Sequence, residues 1–502
     1  MSSSSESTSV PASASETLTT SGLVRALGPG MAIAMVVGNV IGTGIFTTPG
    51  LASDAAGSLD IVTAAWIVGG ITCILGALCF AELAVMFPQA GGLYVYLKVA
   101  YGRPVAFLFG WSEFVFGRPA SIGAYSIGLV SQLFLIYKYA FPASLPENYS
   151  LSLFETMLIA VIAITAIAFV NVRGVLWGGR IQGIATWVKC LFLVLLAALP
   201  VVLMARGHVG YTQDNFASTL IPTETTLSAK FAAALVFVLW AYNGWHGICP
   251  IAEEVRNPRR NILIALGVGM GIILLIYGIV NVSYHGSMTM EEIRHAGFTL
   301  PQVMVEKLLN PVSPKLSQIA SLLITISLAV SFVGGINVNL MNGPRVAFAV
   351  GRDIPALNVL GRAHSRFHTP AAGIAFQAVM AILCLLSVAG YAALENKDLS
   401  VFRILTGYVV YSASFFYMLT VAAVVVLRRK MPDAERPFRT PFLPWLPTAY
   451  LLFNAWFLWE VFWNDWIKAT VSLGLSLVGL PLYYCLIHLA PKSVSTENSR
   501  NS

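Results

Sequence analysis

What constrains this sequence most is a succession of apolar runs, each about 20 residues long, that fills nearly the whole chain. A helix of that length crosses a hydrocarbon core of roughly 30 Å. Twelve such spans are read near residues 30–52, 61–86, 104–136, 152–171, 181–205, 230–253, 262–284, 318–350, 371–390, 400–427, 443–462 and 468–489. The third and eighth exceed what a bilayer requires, so they tilt or extend beyond it. Only 11% of the 502 residues are charged and 57% are hydrophobic, against roughly 25% charged in a soluble domain. So few charges cannot cover a folded surface in water, which excludes a large soluble protein with an oversized core. The reading is an all-α polytopic membrane protein.

The bias of Lys and Arg among the connecting loops sets the orientation. With the N-terminus inside, eighteen of the 30 basic residues fall on the cytoplasmic side, among them Arg256, Arg259, Arg260 and Arg428–Lys430; eight fall outside. Both termini are therefore expected in the cytoplasm of a plasma-membrane protein. The net charge of +7 is mostly topology and calls for no nucleic-acid partner. Residues 1–24, rich in Ser and Thr, read as a disordered cytosolic tail, without the basic n-region and apolar stretch of a signal peptide. A similar tail spans 491–502. Residues 91–102, between the second and third spans, read as an interfacial helix with Tyr94, Tyr96 and Tyr101 at the headgroup level. Cys73, Cys79, Cys190, Cys249, Cys384 and Cys485 lie in apolar segments with no CxxC pair, so no disulfide framework or metal site is expected.

Two spans carry residues that weaken a helix. The first contains Gly38-Asn39-Val40-Ile41-Gly42-Thr43-Gly44-Ile45-Phe46; the sixth contains Trp240-Ala241-Tyr242-Asn243-Gly244-Trp245-His246-Gly247-Ile248-Cys249-Pro250. Each glycine costs a helix about 1 kcal/mol relative to alanine. Small residues also serve close helix packing, but interruptions in the first and sixth spans have the placement of two inverted five-span repeats. An unwound helix leaves free N–H groups at the start of one half and free C=O groups at the end of the other. A zwitterionic amino acid complements both. The N–H groups around Gly42, Thr43 and Gly44 suit its carboxylate at the positive end of the following half-helix. The carbonyls of Trp240, Ala241 and Asn243 suit its ammonium.

At these residues the chain resembles the amino acid–polyamine–organocation superfamily, and within it the L-type amino acid transporters. The resemblance runs from about Gly28 to Pro437. It is carried by the two interrupted segments, by Phe87-Pro88-Gln89-Ala90-Gly91-Gly92-Leu93-Tyr94 and by Trp111-Ser112-Glu113-Phe114-Val115-Phe116-Gly117-Arg118-Pro119. Arg180-Ile181-Gln182 with Lys189, Glu253-Glu254-Val255-Arg256-Asn257-Pro258, Phe332-Val333-Gly334-Gly335-Ile336-Asn337 with Arg345, and Glu435-Arg436-Pro437 add to it. It implies a LeuT-type fold with a ten-helix inverted-repeat core over 25–430, two further spans over 431–490, and alternating access around a central site. The substrate site then comprises Val40, Ile41, Gly42, Thr43, Gly44, Trp240, Ala241 and Asn243. Trp240 stands where the family places an aromatic gate; a bulky core residue is the other reading. No cofactor is expected.

Lys189 is the most informative ionisable residue. A lone ammonium inside the fifth span must face a polar interior, unless it snorkels to an interface. The resemblance places it where sodium-coupled relatives hold their cation, bonded to the first break and to a polar residue of the eighth span, here Ser331. A fixed positive charge there repels sodium and implies sodium-independent transport. Asn243 replaces the glycine usual in L-type members. His246 replaces an asparagine and either tunes selectivity or is a structural histidine. Glu253 and Glu254 are read as braces of a cytoplasmic gate, and Glu113 with Arg118 as a structural pair. No acid is expected beside either break, which disfavours cationic substrates. Eukaryotic L-type members tether a heavy chain through a cysteine between the third and fourth spans; residues 137–150 contain none, so no disulfide-linked heavy chain is expected. The competing readings are a proton-coupled symporter on the same fold and, in a different class, a channel, which needs an open pore lined by polar rings. An enzyme is disfavoured by the lack of HExxH and GxSxG motifs.

Overall fold

The computed structural model describes residues 25–42, 44–141, 146, 149–208, 210–216, 225–395, 401–464 and 466–488; Thr43 and both expected tails lie outside them. α1 (Pro29–Val40) and α2 (Gly44–Ala56) make the first pass and α3 (Leu59–Met86) the second. Short α4 (Leu93–Tyr101) leads into α5 (Arg103–Trp111), a π-helical turn (Ser112–Gly117) and α6 (Arg118–Ala140), which together form the third. α7 (Leu153–Val172), α8 (Val175–Ala205), α9 (Leu227–Tyr242) and α10 (Pro258–Ser287) follow. Short α11 (Met290–Ala296) and α12 (Leu300–Leu309) precede α13 (Pro314–Asp353), α14 (Ala371–Glu395), α15 (Val401–Lys430) and α16 (Trp445–Asn464). α17 (Trp466–Leu477) and α18 (Gly479–His488) make the last pass.

Ten of these passes are long and apolar enough to cross a membrane. The remaining two expected passes depart for identifiable reasons. α9 is apolar but has only 16 residues, because its helix ends at Tyr242. The expected continuation to residue 253 is not helical: turns run from Asn243, with one 3₁₀ turn at Ala252–Glu254. α16 has 20 residues, but Asn454, Glu460 and four tryptophans dilute its apolar run. Ends are set by ordinary capping. Ser58, Thr226 and Ser313 accept from backbone N–H groups at the starts of α3, α9 and α13.

α1 and α2 lie in the middle of the bundle. α1 packs on α8, α10 and α13, α2 packs on α9, and α13 packs on α6 and α8. By contrast α7 and α8 turn Phe154, Ile162, Phe169, Ile184, Trp187 and Leu191 outward, an apolar surface that suits hydrocarbon and not water. The tyrosines of α4 turn into the protein and not toward headgroups. Tyr94 and Tyr96 are buried; Tyr94 Oη donates to Asp353 Oδ2 at 2.9 Å and Tyr101 Oη to Leu419 O at 2.9 Å. The two glycines before α4 dock this segment against the turns after α9, where Gly91 N–H donates to Pro250 O at 3.1 Å.

One end of the bundle is tied together by buried polar contacts. Ala26 and Leu27 N–H donate to Glu254 O at 3.1 and 3.0 Å, and Arg256 N–H to Leu27 O at 2.9 Å. Arg345 of α13, 1% exposed, donates from Nε to Glu254 Oε1 at 2.8 Å and from Nη1 to Met341 O at 2.7 Å. Ala90 N–H donates to Glu253 Oε2 at 2.9 Å, and Lys98 pairs with Asp353 at 2.6 Å. A buried charge is tolerable only when paired and hydrogen-bonded, and Glu254 meets both conditions.

Candidate functional site

α1 ends two residues after Gly38, at Val40. Ile41 N–H still reaches back to Val37 O at 2.7 Å, but Gly42 N–H folds onto Val40 O at 2.6 Å, and α2 starts afresh at Gly44. Freed carbonyls at this depth must find donors, and three neighbouring helices supply them. On α8, Lys189 Nζ donates to Gly38 O at 3.3 Å. On α10, Tyr277 Oη lies 2.9 Å from Val40 O. On α13, Ser331 Oγ donates to Gly42 O at 3.1 Å. Lys189 is fully buried, and no carboxylate pairs with it among the described residues. Its charge sits at the negative end of α1, where a cation is stabilised.

The expected bond between Lys189 and Ser331 is therefore replaced by two parallel ones, each residue serving its own carbonyl of the break. Gly42 N–H, expected to hold a carboxylate, is turned inward to Val40. α2 opens at Gly44, and the first turn of a helix leaves its N–H donors without partners inside the helix.

In the second break, Asn243 N–H closes onto Trp240 O at 3.0 Å, and successive turns follow from Gly247 to Gly244 O and from Cys249 to His246 O, both at 2.8 Å. Gly244 takes φ +106°, a conformation costly for any other residue. Tyr277 Oη also lies 2.9 Å from Ala241 O, so one hydroxyl proton is shared between the two breaks. Two of the three carbonyls expected to receive an ammonium thus already have an internal donor, and a ligand there meets their second lone pairs. Asn39 Nδ2 donates to Gly244 O at 2.5 Å. Gly44 lies so close to Ala241 that a Cβ there would overlap the Ala241 backbone.

Beside both breaks is a cavity of about 20 Å³, room for about one water. Asn39, Glu113, Arg118, Tyr125, Trp240, Asn243 and Tyr417 border it. Trp240 faces Tyr125 with ring centroids 5.9 Å apart. Glu113 was not expected beside a break. The π turn explains its arrival: residues i and i+5 lie about 140° apart around an α-helix, whereas i→i+5 bonding, here Arg118 N–H to Glu113 O, brings them onto one side. Arg118 Nε then donates to Glu113 Oε2 at 2.7 Å and Nη1 to Asn339 Oδ1 at 3.1 Å. Arg118 Nη2 lies 3.2 Å from His246 Nε2, which must accept from it. Tyr417 Oη donates to Asn243 Oδ1 at 2.8 Å. His246 itself stands behind this layer, buried among Phe80, Trp245 and Tyr417.

The structure thus joins Val40, Ile41, Gly42, Gly44, Lys189, Trp240, Ala241, Asn243 and Ser331 around one centre, with His246 one layer out and Thr43 outside the described residues. Sequence reasoning missed Asn39, Arg118, Tyr125, Tyr277 and Tyr417 as parts of this centre. A buried polar group in an apolar span is a signal for each, but nothing local says which centre it faces.

The pattern of the amino acid permease family matches residues 27–484. The rabbit (Oryctolagus cuniculus) large neutral amino acids transporter small subunit 2 is 30% identical over 468 residues, covering 92% of this chain and 79% of the relative. The serine/threonine exchanger SteT of Bacillus subtilis is 28% identical over 466 residues, 92% of this chain and 97% of its own. The mouse (Mus musculus) b(0,+)-type amino acid transporter 1 is 29% identical over 440 residues, 87% of this chain and 83% of its own.

Proposed function

The chain belongs to the amino acid permease family, and from that premise we propose that it exchanges neutral L-amino acids across the plasma membrane, independently of sodium, by alternating access. The observation that carries the sodium-independence is Lys189, whose ammonium occupies the negative end of α1 and bonds Gly38 O. A second cation beside it is repelled. The substrate carboxylate binds the N–H groups that open α2 at Gly44, aided by that half-helix's positive end. Its ammonium binds on the carbonyl side, at Ala241 and Asn243, and Trp240 closes over it. Thr43, by its place in the chain, belongs to the carboxylate side. Two relatives bear on substrate charge, one a carrier of large neutral amino acids and one an exchanger of serine and threonine.

Both termini lie in the cytoplasm, so the end tied by Glu254 and Arg345 is the inner gate. Residues 25–430 form the transport core, with two appended passes over 431–490. The lack of cysteine in 137–150 supports work without a disulfide-linked heavy chain.

The test is counterflow in proteoliposomes. Replacing sodium by choline on both sides leaves the initial rate nearly unchanged; a loss of about tenfold, roughly 1.4 kcal/mol, overturns sodium independence. Proton symport is the second reading, favoured by the buried chain Glu113–Arg118–His246–Tyr417. Uptake without internal amino acid, driven by an imposed pH gradient, would establish it instead of exchange.

A further inference from the structure

We propose that the lateral groove between α3 and α10 binds a neutral single-chain lipid with a hydroxyl-bearing head, a monoacylglycerol in type, and that this occupant bears on exchange through Tyr277. Two grooves flank α10. One, against α8, has a volume of about 320 Å³ and is lined by Leu193, Val194, Val201, Ile276, Ile279 and other aliphatic side chains alone, so any hydrocarbon fills it equally. The other, against α3, is larger, about 500 Å³, and differs in kind. Trp66 and His285, 6% and 5% exposed, line it together with Asn281. Trp66 Nε1, Asn281 Oδ1 and His285 Nε2 are buried with no hydrogen-bond partner among the described residues. Three orphaned polar atoms in one groove are costly unless an occupant bonds them.

Trp66 Nε1 only donates, Asn281 Oδ1 only accepts, and His285 Nε2 does either according to its tautomer. A hydroxyl meets a donor and an acceptor at once, and hydrocarbon meets neither. No Asp, Glu, Lys or Arg lines the groove among the described residues, so a phosphate or carboxylate would be desolvated there without a counter-charge. Ile67, Ile71 and Val282 at its mouth are exposed, so the occupant enters from the hydrocarbon. Polarity is graded along the groove. Asn281 and His285 stand toward the end where α10 closes at Ser287, while Ile71, Ile74 and Leu274 stand nearer mid-membrane, the order of head and tail in one leaflet. The lining runs from Leu274 to His285 on α10 and from Leu59 to Ile74 on α3, about 16–22 Å, against about 15 Å for half the hydrocarbon core. The volume over that length gives a section of about 25 Å². That admits one polymethylene chain with carbon contacts of about 3.5–4.0 Å and is too narrow for two chains or a fused-ring plate. Trp66 connects the groove to the centre: its ring packs edge-on at 5.7 Å against both Tyr242 and Tyr277, and Tyr277 Oη meets carbonyls of both breaks. An occupant bonded to Trp66 restrains the ring that links the breaks. This link to exchange rests on the transport reading above; the binding does not.

The experiment uses the full chain in phosphatidylcholine vesicles with a photoactivatable monoacylglycerol that carries a diazirine in its chain. Crosslinks mapped by peptide mass spectrometry should fall on the Ile67–Ile74 stretch of α3 and the Leu274–His285 stretch of α10. 1-Monoolein should displace them at concentrations at least about tenfold below methyl oleate, which has the same chain and ester but no hydroxyl. Equal displacement by both, or equal labelling of the α8 groove around Val201, means ordinary filling by bilayer chains and overturns the inference. Cholesterol displacing the probe better than 1-monoolein overturns the single-chain occupant. Asn281→Leu should bring the ratio of the two competitors to about threefold or less, and an unchanged ratio overturns the hydroxyl contact. If that variant does not insert, His285→Phe gives the same readout. The initial rate of alanine exchange should then change at least about twofold with 1-monoolein and not with methyl oleate. Equal rates overturn the link through Tyr277 and leave the binding standing. No alanine exchange with either lipid overturns the transport reading, and the crosslinking still decides the groove.

Discussion

In the first break the freed carbonyls are met by side chains carried on α8, α10 and α13, whereas in the second the backbone largely meets itself through successive turns. The first is therefore held by long-range packing and is adjustable, because a helix that shifts takes its donor with it. The second is held mostly by local geometry, with Gly244 at positive φ, and is tied to its neighbours by Asn39, Tyr277 and Tyr417. The lesson is that one break is built to respond and the other to stay shaped. Tyr277, within 2.9 Å of carbonyls in both, is where the response of one is felt by the other.

The strongest way to break this comparison is at its shared contact. Gly44→Val forces a side chain into the Ala241 backbone, so α2 and α9 must separate, with a loss of about 3 kcal/mol. Its melting temperature in detergent should fall further than that of Gly69→Val, whose Cβ would meet side-chain atoms and no backbone, Val238 Cγ1 nearest at 2.7 Å. Equal melting temperatures would mean that the two breaks do not depend on close approach. Next comes Lys189→Met, which keeps the bulk and removes the donor to Gly38 O. Exchange should drop at least about tenfold with insertion unchanged, and full activity would show that the first break needs no cation.

A smaller effect is expected for Gly42→Ala. The added Cβ would stand 3.5 Å from Tyr125 Oη, an ordinary contact, so stability should change by less than about 0.5 kcal/mol. The apparent KM should nonetheless rise about threefold, since the methyl narrows the approach to the start of α2. An unchanged KM would move the carboxylate away from Gly42. The smallest is Ser331→Ala, which removes one neutral hydrogen bond to Gly42 O, worth about 1 kcal/mol. A rate loss above about tenfold would mean that Ser331 does more than hold the carbonyl.

The breaks themselves were legible in the sequence, because glycine and proline weaken helices wherever they occur, and so was Lys189, because a charge in an apolar run needs a reason. The sixth span was read to residue 253 with its interruption over 240–250, and the helix ends at Tyr242, at the start of that interruption. Apolar composition continued through Ile248 and Ile251, but the glycines and Asn243 had already turned the backbone. Tyr94 and Tyr96 were placed at a headgroup layer by their type, whereas packing buries them. The partners of the breaks were not legible. Asn39 and Gly244 are 205 residues apart and Tyr277 and Val40 are 237 apart, and no local periodicity reports such pairings. Glu113 was read as the partner of Arg118, as it is, but its place beside a break was not legible, since the π turn that carries the pair there leaves no local periodicity.

α13 runs 40 residues without interruption, about 60 Å at 1.5 Å per residue. Ser331 touches the first break, Arg345 grips Glu254, and Asp353 at its tip holds Lys98 and Tyr94. Pro344 omits one internal hydrogen bond of this rod, but Arg345 Nη1 clasps Met341 O across that turn and splints it. Such a rod would act as a lever if it pivoted at Ser331. Ser331 and Arg345 are about 21 Å apart along it, so a pivot of about 5° swings Arg345 by about 2 Å. That travel carries the 2.8 Å contact with Glu254 beyond hydrogen-bonding range. A small displacement at Gly42 would thus be magnified at Glu254, at the far end of the bundle.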